Sequence, residues 1–226
     1  LITENTAAII FEPVQGEGGI IPATLAFMHG VRALCDRHNI LLICDEVQCG
    51  IGRTGILFGH LYGEDCRPDI MTLAKALGGG MPIGATLVGE KVEHTLQVGT
   101  HGSTYGGNPV MCAVALAAFQ KINNPVMLAH VVARSEQAFR MLSAMNEELG
   151  LFSEIRGRGL MIGAELVPAL HGKAAAISET CRTYGVLVLV AGPNVLRFLP
   201  PLNITEAELA DGLERVKAAL IEYKLS

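Results

Sequence analysis

The sequence predicts an α/β protein, and three observations carry the prediction. Short aliphatic runs recur, amphipathic stretches separate them, and charged residues stand where the runs stop. The run at 40–44 (Ile-Leu-Leu-Ile-Cys) is unbroken, the pattern of a strand buried on both faces of a parallel sheet, and Asp45-Glu46 follows at once. Just before it, residues 24–38 put Leu25, Met28, Val31, Leu34 and Cys35 on one helical face. A second run at 70–74 ends at Lys75.

Taken in order, residues 7–11 read as a buried strand stopped by Glu12-Pro13. A glycine-rich loop follows, Val14-Gln-Gly-Glu-Gly-Gly19. It lacks the spacing and the terminal Lys-Ser/Thr of a P-loop. Glu17, among its glycines, is either a solvated loop acid or a carboxylate able to reach a ligand. Asp45, at the carboxyl end of a predicted parallel strand, lies where open α/β sheets bind ligands, unless it merely caps a loop or helix. The segment 50–55 (Gly-Ile-Gly-Arg-Thr-Gly) reads as a mobile or ligand-covering loop.

Lys75 is the only charge between Asp69 and Glu90. Such isolation places it in a low-dielectric setting, where a lysine loses its proton more easily and becomes a nucleophile. The alternative is a chance lysine on a surface turn. Asp45 and Lys75 follow strands 30 positions apart, an interval that suits neighbouring elements of one sheet and a shared crevice. Residues 85–88 read as another strand. The loop 99–109, with Ser103 and Thr104 among glycines before a helix at 109–122, suits an anion such as phosphate or is an ordinary capped loop. His101 in that loop reads as a structural histidine on its own.

Asn123-Asn124-Pro125 marks a break. Helices at 128–149, 174–184 and 206–223 and strands at 160–166, 186–190 and 195–199 follow, with Ile155-Arg-Gly-Arg-Gly159 leading into the first strand. The expected division is therefore residues 1–124 and 125–226. Arg197 lies between Leu196 and Phe198 and, if buried, needs an anion, either a structural acid or a substrate carboxylate.

The net charge of −5 and the absence of a basic run argue against nucleic acid as a partner. No uninterrupted apolar stretch has membrane-spanning length. The six cysteines form no Cys-x-x-Cys pair, and several lie in apolar runs, as buried thiols of a reducing compartment do; a cytoplasmic protein without a metal site is expected. The chain opens Leu-Ile-Thr-Glu, as a mature, trimmed or excised segment would.

A lone strand-end lysine, an upstream strand-end aspartate and a Gly-Ser-Thr loop match what pyridoxal phosphate requires: a Schiff-base amine, an acid for the pyridinium nitrogen and a phosphate cradle. The segments Phe11-Glu-Pro-Val-Gln-Gly-Glu-Gly-Gly19, Ile43-Cys-Asp-Glu-Val-Gln-Cys-Gly-Ile-Gly-Arg-Thr-Gly55, Leu73-Ala-Lys-Ala-Leu-Gly-Gly-Gly-Met-Pro-Ile-Gly-Ala85, Gly102-Ser-Thr-Tyr-Gly-Gly-Asn-Pro109 and Val195-Leu-Arg-Phe-Leu-Pro-Pro-Leu202 resemble class III (ω-amino) aminotransferases, most of all the acetylornithine and succinylornithine branch.

The resemblance implies a fold-type I architecture, with part of the large cofactor-binding domain in 1–124 and the small domain in 125–226. It implies pyridoxal 5'-phosphate as cofactor. Lys75 matches the Schiff-base lysine that also shuttles the proton, Asp45 the pyridine-nitrogen partner, Val47 the aliphatic residue on the ring, and Gln48 the group near the ring hydroxyl. Ser103 belongs to the phosphate-type loop, and Thr104 matches the threonine that binds the phosphate of the neighbouring subunit's cofactor, so a homodimer with shared sites is implied. Arg197 matches the arginine that holds a substrate carboxylate. Glu17 matches the glutamate that neutralises that arginine in one half-reaction and releases it in the other. The implied reaction moves the terminal amino group of an N2-acyl-ornithine to 2-oxoglutarate. Ornithine, 4-aminobutyrate and other ω-amines are alternative donors, and a truncated interaction module without turnover is the alternative outside enzymes. Only the C-terminal half of the family pattern is matched. The other half, carrying a further phosphate loop, a ring-stacking aromatic and more substrate contacts, is expected to be required, and without it the sheet is expected to expose apolar edges.

Overall fold

The computed structural model describes residues 1–225. In chain order the elements are β1 (Ala8–Phe11), β2 (Val14–Gln15), β3 (Ile21–Pro22), α1 (Leu25–His38), β4 (Leu41–Asp45), β5 (Ile70–Leu73), β6 (Ala85–Val88), α2 (Pro109–Ile122), α3 (Pro125–Leu149), β7 (Phe152–Arg158), β8 (Met161–Leu166), α4 (Ala174–Thr183), β9 (Leu189–Ala191), β10 (Val195–Phe198) and α5 (Glu206–Leu225). The chain divides into two compact units, but not at one point. Val14–Pro22 and Arg53–Gly55 group with Pro125–Ser226, and the remaining stretches before Asn124 form the other unit. Within residues 1–124, the Glu17 turn and Arg53 thus group with the later unit.

The first unit holds a sheet in the order β1-β4-β5-β6. β1, β4 and β5 are parallel, and β6 runs antiparallel to β5. Leu42 packs in a cluster with Met28, Val31 and Cys35 of α1, while Met71 and Leu73 pack in another with Phe119 and Ile122 of α2. α1 starts where the Thr24 hydroxyl accepts the Phe27 amide at 3.1 Å and stops at Asn39, whose left-handed backbone (φ 52°) cannot continue a helix. Asn108 caps α2 in the same way, accepting from Val110 and Met111, with Pro109 as the first helical residue. Both edge strands carry exposed aliphatic side chains, Ile10 on β1 and Leu87 on β6.

Asp69 ties this unit together. Its Oδ2 accepts the Leu42 amide at 2.8 Å and the Arg32 guanidinium at 3.0 Å, and Lys91 lies 3.4 Å from Oδ1. Burial alone would push this carboxyl upward. The Leu42 amide, the Arg32 hydrogen bond and the two cations outweigh it and hold the group below the usual carboxylate range.

The second unit holds the antiparallel sheet β7-β8-β10-β9, with α3, α4 and α5 packed on it through Leu142, Ile162, Leu166, Ile177, Leu196 and Leu220, among others. α5 begins with a capping box: the Thr205 amide donates to Glu208 and the Glu208 amide to the Thr205 hydroxyl. The two-stranded ribbon β2-β3 belongs to this unit. Three expectations change. The stretch at 155–159, read as a lead-in, is mostly strand, because β7 extends through Arg158. The strand expected at 186–190 is shorter and later, Leu189–Ala191. The glycine-rich loop around Glu17 is the turn of the β2-β3 ribbon. Cys35, Cys44, Cys49, Cys66 and Cys181 are buried free thiols, and Cys112 is an exposed one. Among the described residues, no helix is long and apolar enough to cross a membrane.

Candidate functional site

The candidate residues fall into two clusters, one in each unit. In the first unit, β4 and β5 pair in parallel with Asp45 opposite Thr72, so Asp45 and the end of β5 lie at the same edge of the sheet. The Thr72 hydroxyl donates to Asp45 Oδ1 at 3.1 Å and the Val47 amide donates to the same oxygen at 2.9 Å. Both bonds fall on Oδ1. The carboxylate is thus oriented by its own strand ends before anything binds.

β5 stops at Leu73, and Lys75 opens a short 3-10 turn, Lys75–Gly78. Its backbone is left-handed, with φ 45°. That conformation costs a non-glycine residue on the order of 1 kcal/mol, and such strain concentrates at functional positions. The low-dielectric setting expected for Lys75 is absent: within this chain the side chain is exposed. The surrounding residues are uncharged, but they form a surface turn here rather than walls around the amine. Val47 and Gln48, just past Asp45, are half-buried.

Glu46 is fully buried and does a separate job. Its Oε2 accepts the Gly59 amide at 2.8 Å and the Cys49 thiol at 3.3 Å, and its Oε1 accepts the His60 amide at 2.7 Å and lies 2.9 Å from His60 Nδ1. A Cβ at Gly50 would stand 2.7 Å from the Glu46 carbonyl, so only glycine fits there. These contacts fasten the chain that follows Asp45 back onto the strand end. The segment 50–55, read as a mobile or ligand-covering loop, is mostly buried within this chain. Thr54 is fully buried, and Arg53 donates to the carbonyls of Leu160 at 3.1 Å and Pro200 at 2.6 Å. Burial pulls the Arg53 guanidinium down to about 10.

Ser103 and Thr104 are exposed. The Ser103 hydroxyl accepts the Gly106 amide at 2.9 Å, and Ser103 lines an open cleft of about 790 Å³ with Pro82, Thr86, His101, Tyr105 and Asn108. Among the described residues, no group of histidine, cysteine and acidic side chains is arranged to hold a metal ion.

In the second unit Arg197 sits in β10 between β8 and β9, with its side chain only 10% exposed. Its Nη1 donates to Glu17 Oε1 at 2.5 Å, while the Glu17 side chain is 71% exposed. The buried arginine thus has a structural acid as partner, and that acid stands largely in solvent. The buried guanidinium is therefore paired, as a buried charge must be, and its counter-ion reaches solvent.

Two contributors were not legible as site residues. Glu46 was visible only as the neighbour of Asp45, and Arg156 only as one of two arginines in a presumed lead-in. The signal for each is tertiary: a buried acid meeting backbone amides 13 and 14 positions away, and a guanidinium meeting carbonyls 136 and 137 positions away.

The model of the family described as Aminotransferase class-III matches residues 1–220. An acetylornithine aminotransferase from Xanthomonas campestris pv. campestris is 56% identical over 220 residues, 97% of this chain and 53% of the relative. A succinylornithine transaminase from Citrobacter koseri is 54% identical over 225 residues, 99% of this chain and 55% of the relative. The crystal structure of N-acetylornithine aminotransferase from Stenotrophomonas maltophilia superimposes with a TM-score of 0.90 at 48% identity, covering 97% of this chain and 57% of that one. The chain spans about half the length of the curated relatives it matches.

Proposed function

This chain belongs to the class III aminotransferases, with their fold-type I architecture, and on that footing we propose that the full-length protein is a pyridoxal-phosphate aminotransferase acting on the terminal amino group of an N2-acyl-ornithine, with 2-oxoglutarate as acceptor. One observation carries the reading: the parallel pairing of β4 with β5 brings a pre-oriented Asp45 and a backbone-strained Lys75 to the same edge of one sheet.

The residues present fit the cofactor. Asp45 offers a carboxylate oriented through one oxygen, Lys75 offers an accessible amine, and the loop of Ser103 and Thr104 offers hydroxyls and amides before the capped start of α2. When bound, pyridoxal phosphate supplies an electron sink for the carbon that loses a proton. Lys75 would hold the cofactor through its amine and would be the group placed to carry a proton. Asp45 would serve the pyridine nitrogen, Val47 the ring face, and Gln48 the ring hydroxyl. Ser103 and Thr104 serve the phosphate, Thr104 that of a second copy, so the working form is a homodimer. Arg197 takes the carboxylate of 2-oxoglutarate, and Glu17 covers Arg197 while the amino donor reacts. The half of the family pattern that this chain does not match, on the same chain or a second one, would supply the walls that Lys75 lacks here. The buried free thiols support a reducing, cytoplasmic setting.

The acyl-ornithine choice rests on the relatives' names. It is tested by assaying the full-length protein with acetylornithine, succinylornithine, ornithine and 4-aminobutyrate. The reading expects an acyl-ornithine to have the highest kcat/KM, and preference for free ornithine or 4-aminobutyrate overturns it.

A further inference from the structure

The β2-β3 ribbon that carries Glu17 has only two residue pairs, Val14 with Pro22 and Gln15 with Ile21. A ribbon that short has little stability of its own and would not hold a carboxylate in place. Two features of the second unit hold it. The first is a socket. Ile20 is fully buried in a left-handed backbone (φ 54°), an unfavourable state for a β-branched residue. It fills the space over Gly163 of β8, where a Cβ would come within 2.8 Å of Ile20 Cβ. The second is a clamp. Arg156 of β7 donates through Nε to the carbonyls of Gly19 at 3.1 Å and Ile20 at 3.2 Å, and through Nη2 to Gly19 at 2.8 Å. Its Nη1 reaches Glu154 at 2.7 Å and also Glu165. Burial disfavours its charge, but the hydrogen bonds it donates to Glu165 and Glu154 outweigh burial and hold the guanidinium above its ordinary value.

The clamp therefore grips the turn two and three residues beyond Glu17 and leaves the Glu17 side chain in solvent. With that base fixed, Glu17 uncovers Arg197 by a change of side-chain rotamer, without refolding of the ribbon. We propose that Arg156 is a positioning residue for this exchange: by fixing the Gly19–Ile20 turn, it sets how completely Glu17 covers Arg197, and so sets the balance between the amino donor and the dicarboxylate acceptor. The inference rests on the roles proposed for Glu17 and Arg197.

The test follows the two half-reactions separately in the full-length holoenzyme, with acetylornithine as donor and 2-oxoglutarate as acceptor. Arg156→Met lowers donor kcat/KM about tenfold and changes acceptor kcat/KM less than about threefold. Gly163→Ala, which disturbs Ile20 from the opposite side, gives the same asymmetry, and Arg156→Lys recovers part of the loss. Glutarate, an unreactive dicarboxylate, binds Arg156→Met several-fold more tightly by calorimetry, because Arg197 is less often covered. Equal slowing of both half-reactions in Arg156→Met, or no change in either, overturns the proposal. If Arg156→Met does not fold, Gly163→Ala and Arg156→Lys decide by the same criterion. Glu17→Gln separates the two levels. If it too lacks a donor-selective loss, the role of Glu17 is wrong; if it shows that loss and the Arg156 variants do not, only the clamp is wrong.

Discussion

The two clusters of candidate residues differ in what surrounds them. Around Asp45 and Lys75 the backbone is well organised and the walls are missing: the carboxylate is oriented by Thr72 and Val47, the lysine is strained, and the amine stands exposed. Around Arg197 the reverse holds. The guanidinium is buried in a sheet, its acid partner comes from the same unit, and that partner's turn is clamped by Arg156 and seated by Ile20. A unit can thus fix where charges point without enclosing them, and can enclose a charge while its counter-ion stands largely in solvent. The first arrangement suits a group that must admit a cofactor, and the second suits a group that must accept and release a carboxylate.

The largest effect that can break this contrast is on Asp45. Asp45→Asn keeps an Oδ1 for Thr72 and Val47 and should leave stability within about 1 kcal/mol, while transamination by the full-length protein falls on the order of a thousandfold. A matched loss of stability in denaturant would mean that Asp45 is structural. Next is the buried Glu46. Glu46→Gln turns an amide NH₂ toward amides that need an acceptor and should cost about 3 kcal/mol, read as a lower denaturation midpoint. A cost under about 1 kcal/mol would show that the chain after Asp45 is fastened by something else.

The smallest effect concerns Asp69, whose folded pKa lies below its unfolded value. A depressed carboxylate contributes stability that is complete above the unfolded pKa, about 4, and is lost as pH falls through the folded pKa. Asp69→Asn should therefore cost about 2 kcal/mol near neutral pH, and the gap between variant and parent should close as the solution is made acidic below pH 4. A gap independent of pH would assign the effect to packing.

Much of this was legible from the chain. β6 and α2 fall at 85–88 and 109–122, as their aliphatic run and their Asn-Pro start predict. β7 was missed because Glu154, Arg156 and Arg158 interrupt the apolar pattern that marks a strand, although Arg156 spends its charge on neighbours within the unit. The valines at 186 and 188 imitate a strand, but the ladder with β10 starts only at Leu189. Two-residue strands such as β2 and β3 leave no periodicity to detect. In the sites, Lys75 stood out by its isolation and Arg197 by its apolar neighbours. The exposure and left-handed backbone of Lys75 depend on how the chain turns after β5. The partnership of Arg197 with Glu17 joins residues 180 positions apart, which local patterning cannot reveal.

The most direct test of the account is the absorbance of the full-length protein with pyridoxal phosphate, in the parent and in Lys75→Ala. The account predicts a band near the visible edge in the parent, lost in the variant together with transamination, while the cofactor-free forms of the two share one denaturation midpoint. A variant that retained the same band would show that Lys75 does not hold the cofactor.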